Sequence, residues 1–468
     1  MADSARSSRR LMVINVVGLT PDMIGPLTPR ISSLLDRGFM RPLQTILPAV
    51  TCSVQSTLLT GVMPRDHGIV ANGWYVRDLA EVMFWKQSNH LVTAEKVFQT
   101  ARVRDAGHTT ASMFWWYNMY ADVRWSVTPR PSYPADGRKI PDLYSSPSEL
   151  RDQLQQRHGN FPLFHFWGPT ADILSTRWIA DASVTVWNQS QPRMMLVYLP
   201  HLDYNLQRLG PGNPVIADDI QLVDREAGKL IDAARAVDAE IVVLSEYGIT
   251  DTQRVVHINR ILRQHGLLTV RREPLGWETL DCGASRAFAV ADHQVAHIYV
   301  RNPSDLALVG GILEKTDGVE LLLDRTAQRD YGLDHDRSGE FVAVSARDSW
   351  FSYYFWLDDA VAPDYARTVD IHRKPGYDPA ELLINPEIRF PRLRVVNRLI
   401  RKKLGFRYYM DMIGLNADIV RGSHGRLPDS GRILTDGPVL ICSDKSVETD
   451  QLHVQDVRNL LLKLQFGA

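Results

Sequence analysis

Cysteine is scarce: three among 468 residues, Cys52, Cys282 and Cys442, far apart and without CxxC spacing. That excludes a disulfide framework and fits a reducing compartment. Long apolar runs are missing too. No stretch approaches the roughly 18–20 residues that a membrane-crossing helix needs. The apolar run Leu11–Leu19 follows Arg9 and Arg10, but it contains Asn15, ends at Gly18-Leu19-Thr20-Pro21 and has no small-residue cleavage site. It reads as a first core strand rather than a secretory signal. Excess charge is absent as well. The formal net charge is −1, so no strong field draws the chain to nucleic acid or to a membrane surface. Internal repeats, low-complexity tracts and linkers are not found. The expectation is a cytoplasmic chain with no nucleic-acid and no membrane partner; nothing in the sequence marks an oligomeric state.

What is present is the makings of a large α/β core. Short aliphatic runs at 11–17, 109–116, 194–199 and 240–248 have the look of buried parallel strands. Helical patterns lie between them. In 218–237, Ile220, Val223, Ala227, Leu230, Ile231 and Ala234 fall on one stripe. Strands alternating with helices predict a mainly parallel central sheet with helices on both faces, in a single domain spanning 1–468. The strand–helix–strand series 295–300, 303–316 and 318–324 predicts a small β-α-β subdomain inserted at about 290–335. The strand at 339–346 is then expected to resume the main core.

In open α/β sheets, ligands collect beyond the carboxyl ends of the strands. The polar residues in such places are His201, Asp203 and Gln207 after 194–199, and Glu246 and Tyr247 after 240–244. Thr51 opens a helix, and His424 lies in "RGSHG". A hydroxyl, carboxylates and imidazoles converging on one edge would suit a nucleophile with a metal. Thr51 has a second reading, that of a plain helix cap.

The order of these segments resembles the alkaline phosphatase superfamily, in particular its type I phosphodiesterase/nucleotide pyrophosphatase branch. "TPRISSLLDRGF" (28–39), "PAVTCSVQSTLLTGVMPRDHGIVANGWY" (48–75), "LPHLDYNLQRLGP" (199–211), "VVLSEYGI" (242–249) and "RGSHG" (421–425) carry the resemblance. It implies an alkaline-phosphatase-like fold and a metal-dependent phosphohydrolase or phosphodiesterase acting on a small phosphorylated substrate. It also implies two metal ions, with Thr51 as the nucleophile that forms a phospho-enzyme.

The ligand positions depart from the family's pattern. Val17 stands where the family has Asp, Gln207 where it has His, and Glu246-Tyr247 where it has Asp-His; Asp203 and His424 are kept. The resemblance therefore implies a divalent ion (Zn, Mn or Mg), one or two, held by Thr51, Asp203, Glu246 and His424 with Gln207. An oxygen-rich set favours the harder ions. The alternative is a degenerate relative that binds a phosphorylated ligand or a partner without turnover. His201, Arg373 and Lys374 are candidate substrate-binding residues, the last two in a loop able to hold an anion. Asp292, His293 and His297 are read as structural or as further ligands. The aromatic stretch 114–142, with Trp115, Trp116, Tyr117 and Tyr120, is read as core or as a substrate-stacking loop. The basic segment 398–409 is read as a solvated face.

Overall fold

The computed structural model describes residues 9–135 and 138–467. Twelve strands build its two larger sheets: β1 Leu11–Val16, β2 Phe39–Pro42, β3 Thr110–Met113, β4 Trp125–Pro129, β5 Leu143–Ser146, β6 Met194–Leu199, β7 Glu240–Leu244, β8 Ala287–Asp292, β9 Val295–Val300, β10 Val319–Leu323, β11 Phe341–Ser345 and β12 Val439–Cys442. The central sheet has eight strands in the order β2-β12-β7-β1-β6-β3-β4-β5. Its middle is parallel: β1 pairs with β6 (Val13 opposite Leu196) and with β7 (Val13 opposite Val242). Antiparallel strands close both ends.

β1 and β6 are buried along their whole length, as their unbroken aliphatic sequences require, because helices cover both faces. Six helices matter below: α1 Thr51–Thr60, α2 Ile173–Ser190, α3 His201–Leu209, α4 Val215–Arg235, α5 Pro391–Lys403 and α6 Val457–Phe466. Met12, Ile14 and Val16 of β1 pack with residues of α2 and α4. Leu11 and Val13 point the other way, into a core built with α1 and α6. Alternation therefore turns Asn15, polar and wholly buried, toward the α1 face. No described helix is long and apolar enough to cross a membrane.

The second sheet is antiparallel, in the order β8-β9-β11-β10. It corrects one expectation: 339–346 does not resume the central sheet, because β11 pairs with β9 and β10. The strand expected over 109–116 ends at Met113. Phe114, Tyr117 and Tyr120 take positive φ values of 65°, 54° and 62°, which bulky residues avoid in a strand.

Candidate active site

Thr51 is the first residue of α1, entered from an extended Val50 (φ −127°, ψ 154°). Its hydroxyl makes no cap. It lies 3.2 Å from the Tyr247 hydroxyl. The next amide, that of Cys52, donates to Asn72 Oδ1 at 2.9 Å. Asn72 is held in turn by Asp292, which accepts its backbone N–H at 2.7 Å and its side-chain N–H at 3.1 Å. The start of α1 is thus tied to the end of β8.

Two carboxyls lie near the threonine, Glu246 beside it and Asp203 beyond the Tyr247 hydroxyl. Glu246 follows β7 and is completely buried. Its Oε1 accepts from Asn15 and from Gln55, each at 2.5 Å, while Oε2 has no partner. Burial pushes its pKa up to about 8; the two amides and the nearby Thr51 hydroxyl pull the other way. Asp203, in the first turn of α3, accepts from Gln207 at 2.7 Å and from the Tyr247 hydroxyl at 3.3 Å. Burial raises it to about 7. One carboxyl beside the Thr51 hydroxyl and a second reached through the Tyr247 hydroxyl, both titrating near neutrality, form an arrangement suited to proton transfer.

Four rings stack in a column beside them. Tyr377 lies 3.5 Å from His293, His293 lies 3.8 Å from His424, and His424 lies 3.5 Å from Tyr247, at interplanar angles of 22°, 38° and 8°. His293 enters the column from the two-residue turn between β8 and β9, with φ +61°. Burial holds both imidazoles well below their ordinary pKa, so the column is neutral at pH 7. His424 donates from Nδ1 to the carbonyl of Ala49 at 2.8 Å, and its Nε2 has no partner.

Thr51, Asp203, Tyr247, His293 and Tyr377 form the inner wall of a cavity of about 630 Å³. The outer wall is mostly apolar and aromatic, with Trp85, Trp116, Phe164, Phe166 and Trp167; Lys139 and Lys402 are its only Lys or Arg among the described residues. That volume takes a substrate of drug-like size. Of the aromatic stretch, Trp116 lines the cavity, Trp115 and Tyr117 are core, and Tyr120 is exposed. The backbone N–H of Trp116 donates to Gln55 Oε1 at 2.7 Å, so Gln55 links the cavity wall to Glu246.

The structure gathers Thr51, Asp203, Gln207, Glu246 and His424 in one place, but it does not gather the three expected substrate-binding residues there. His201 is buried and bonded to Asp219 at 3.1 Å. Lys374 is buried between Asp378 (2.7 Å) and Glu381 (2.6 Å), a closed ion pair with no free charge to offer. Arg373 pairs with Asp364 at 2.8 Å and reaches Asp370 at 3.6 Å. Asn15, Gln55, Asn72 and Tyr377 escaped the sequence reading as site residues. Asn15, a lone amide in an aliphatic strand, was the available signal.

The residues present do not fit the pair of ions that the family pattern implies. Val17 offers no donor atom. Gln207 spends its N–H on Asp203, and its carbonyl accepts from the Tyr377 hydroxyl at 2.8 Å. Tyr247 stays a neutral phenol, its pKa raised by burial, and its hydroxyl lies between Thr51 and Asp203. Among the described residues, no three of His, Cys, Asp or Glu are arranged to hold a metal ion. His297 is likewise used up, bonded to Val70 and Gly339.

The fold and the order of these site segments have counterparts among known proteins. Residues 11–378 match the Type I phosphodiesterase / nucleotide pyrophosphatase family. The chain belongs to that family, whose members hydrolyse phosphate esters, typically with divalent metals. An uncharacterized pyrophosphatase/phosphodiesterase of Schizosaccharomyces pombe is 25% identical over 287 residues, 57% of this chain and 50% of the relative. The chain thus spans about half the length of that curated relative. Phosphonoacetate hydrolase from Sinorhizobium meliloti, in complex with phosphonoformate, is similar in structure. Its TM-score is 0.62 at 16% identity, over 98% of this chain and 96% of that one. Murine ectonucleotide pyrophosphatase / phosphodiesterase 5 gives 0.58 at 16%, over 97% and 95%. A threonine-to-alanine form of the murine protein, described as inactive, is known in complex with AMP. At such identities, these structures establish the fold, which is alkaline-phosphatase-like.

Proposed function

We propose that this chain cleaves a phosphate ester bearing a bulky apolar group, with Thr51 as the nucleophile. One observation carries the reading: Thr51 lines the cavity with one carboxyl of near-neutral pKa, Glu246, beside its hydroxyl and a second, Asp203, joined to it through the Tyr247 hydroxyl. Oγ1 attacks phosphorus while its proton passes to ionised Glu246. The ester P–O bond breaks, and the departing oxygen takes the proton of Asp203, relayed by the Tyr247 hydroxyl that touches both residues. Water then attacks the phosphothreonine and gives a proton to Asp203, while Glu246 returns its proton to Thr51. The partial positive charge at the start of α1 favours the anionic phosphate. A family neighbour inactivated by a threonine-to-alanine change supports the role of the threonine. The free state of all three cysteines supports work in a reducing compartment, the cytoplasm.

Turnover of bis(para-nitrophenyl) phosphate tests this. Thr51→Ala is expected to abolish release of nitrophenol, and Thr51→Ser to retain it. The replaced donors Val17, Gln207 and Tyr247 favour a second reading, a family member that holds such a ligand without cleaving it. That reading predicts no turnover by the wild type, together with ligand-induced thermal stabilisation.

A further inference from the structure

We propose that α5 docks on an anionic lipid bilayer and that the cavity receives its substrate, an amphiphilic phosphate ester, from that surface; the second clause rests on the function proposed above. The helix has two apolar stripes. Val395 and Leu399 line the cavity with Lys402, Leu399 at its rim and still 48% exposed. Leu393, Val396, Ile400 and Leu404 recur at i, i+3, i+7 and i+11, one face of a helix, and are 66%, 51%, 53% and 67% exposed. A soluble chain has no reason of packing to align four such residues in water.

The charge around the stripe says what covers it. Residues 388–410 hold eight Lys or Arg and no Asp or Glu. Arg394 and Arg398 share the single carboxylate of Asp411, which offsets one of their two charges. Among the described residues, no carboxylate pairs with Arg392, Arg401, Lys402 or Lys403. Arg392 and Lys403 border the stripe on one side and Arg401 borders it on the other, at 100° per residue. Apolar residues framed by cations match an interfacial helix whose apolar face enters the acyl boundary while the cations meet anionic headgroups. A second copy of the chain would bring like charges together. The bulk charge of −1 masks this local field, which is why the segment reads as a solvated face when only its charges are counted.

The test is flotation of the full chain with phosphatidylcholine vesicles, with and without phosphatidylglycerol. The wild type is expected to float only with the anionic vesicles and to be released by salt. Leu393→Asn with Ile400→Asn, and separately Arg392→Gln with Lys403→Gln, should each weaken partitioning about tenfold or more, with melting temperatures kept. Turnover of the soluble nitrophenyl diester should be unchanged in both, because these residues lie outside the cavity. Failure of the hydrolase reading would remove that turnover in the wild type and leave flotation intact. The docking proposal is overturned if the wild type stays with neutral and anionic vesicles alike or floats with neither. It is also overturned if only the charge variant matters, which marks a generic polyanion site, or if the stripe variant instead dissociates an oligomer.

Discussion

Replacing Glu246 by glutamine should stabilise the protein, and by an amount that depends on pH. The carboxyl is pushed from 4.5 to about 8 by burial, so between those values the folded state keeps a proton that the unfolded state releases. Its contribution is nil below pH 4.5, destabilises progressively as pH rises, and levels off above 8. At pH 7 the gap is 7 − 4.5 = 2.5 units, which at about 1.36 kcal/mol per unit costs about 3 kcal/mol. Glutamine is neutral and isosteric. Its oxygen still accepts from Asn15 and Gln55, and its NH₂ replaces Oε2, which has no partner to lose. Urea titrations of wild type and Glu246→Gln, followed by tryptophan fluorescence, should give equal stability near pH 4.5 and a gap that opens to about 3 kcal/mol at pH 7 in favour of the variant. The charge of Asp203 adds to the rise of Glu246, so that repulsion is relieved in the same variant. A gap that stays flat between pH 5 and 7, or favours the wild type, would refute a protonated, desolvated Glu246.

Two further outcomes follow from the same groups. Glu246 must be ionised to accept a proton, a state gained as pH rises through about 8, while Asp203 must be protonated to give one, a state lost as pH rises through about 7. The nitrophenyl diester rate should therefore peak between those values and fall about tenfold per pH unit on either side; a plateau to high pH would contradict the pairing. Elemental analysis after incubation with Zn²⁺ or Mn²⁺ should find no stoichiometric ion in wild type and a bound ion in Val17→Asp combined with Gln207→His and Tyr247→His. A stoichiometric ion in wild type that is lost in Asp203→Ala would overturn the donor argument.

Much of the fold was legible because it rests on local pattern. The runs at 11–17, 194–199 and 240–244 are too aliphatic to be anything but doubly covered strands, and they form the middle of the sheet. The conjunction of Thr51, Asp203, Glu246 and His424 was legible from the order of motifs. What stayed hidden is set by tertiary contact. Nothing local says that Tyr247 would stack on His424, or that Asn15 and Gln55 would meet on one carboxylate oxygen. Lys374 was misread although Asp378, its partner, stands four residues on: a cation in a loop looks free until its acid folds over it. β11 was misplaced because an aliphatic run does not say which of two sheets it joins. In α5 and at its C-cap, counting charge hid the apolar residues at 393, 396, 400 and 404.

The proposed reaction requires that Thr51 become covalently phosphorylated. The most direct measurement is acid quenching of enzyme mixed with bis(para-nitrophenyl) phosphate, followed by peptide mass spectrometry. One phosphoryl adduct is expected on the peptide containing Thr51 in wild type and none in Thr51→Ala. A peptide that stays unmodified while nitrophenol is released would place the chemistry on another nucleophile. An unmodified peptide without release would mean that the site holds its ligand and does not cleave it.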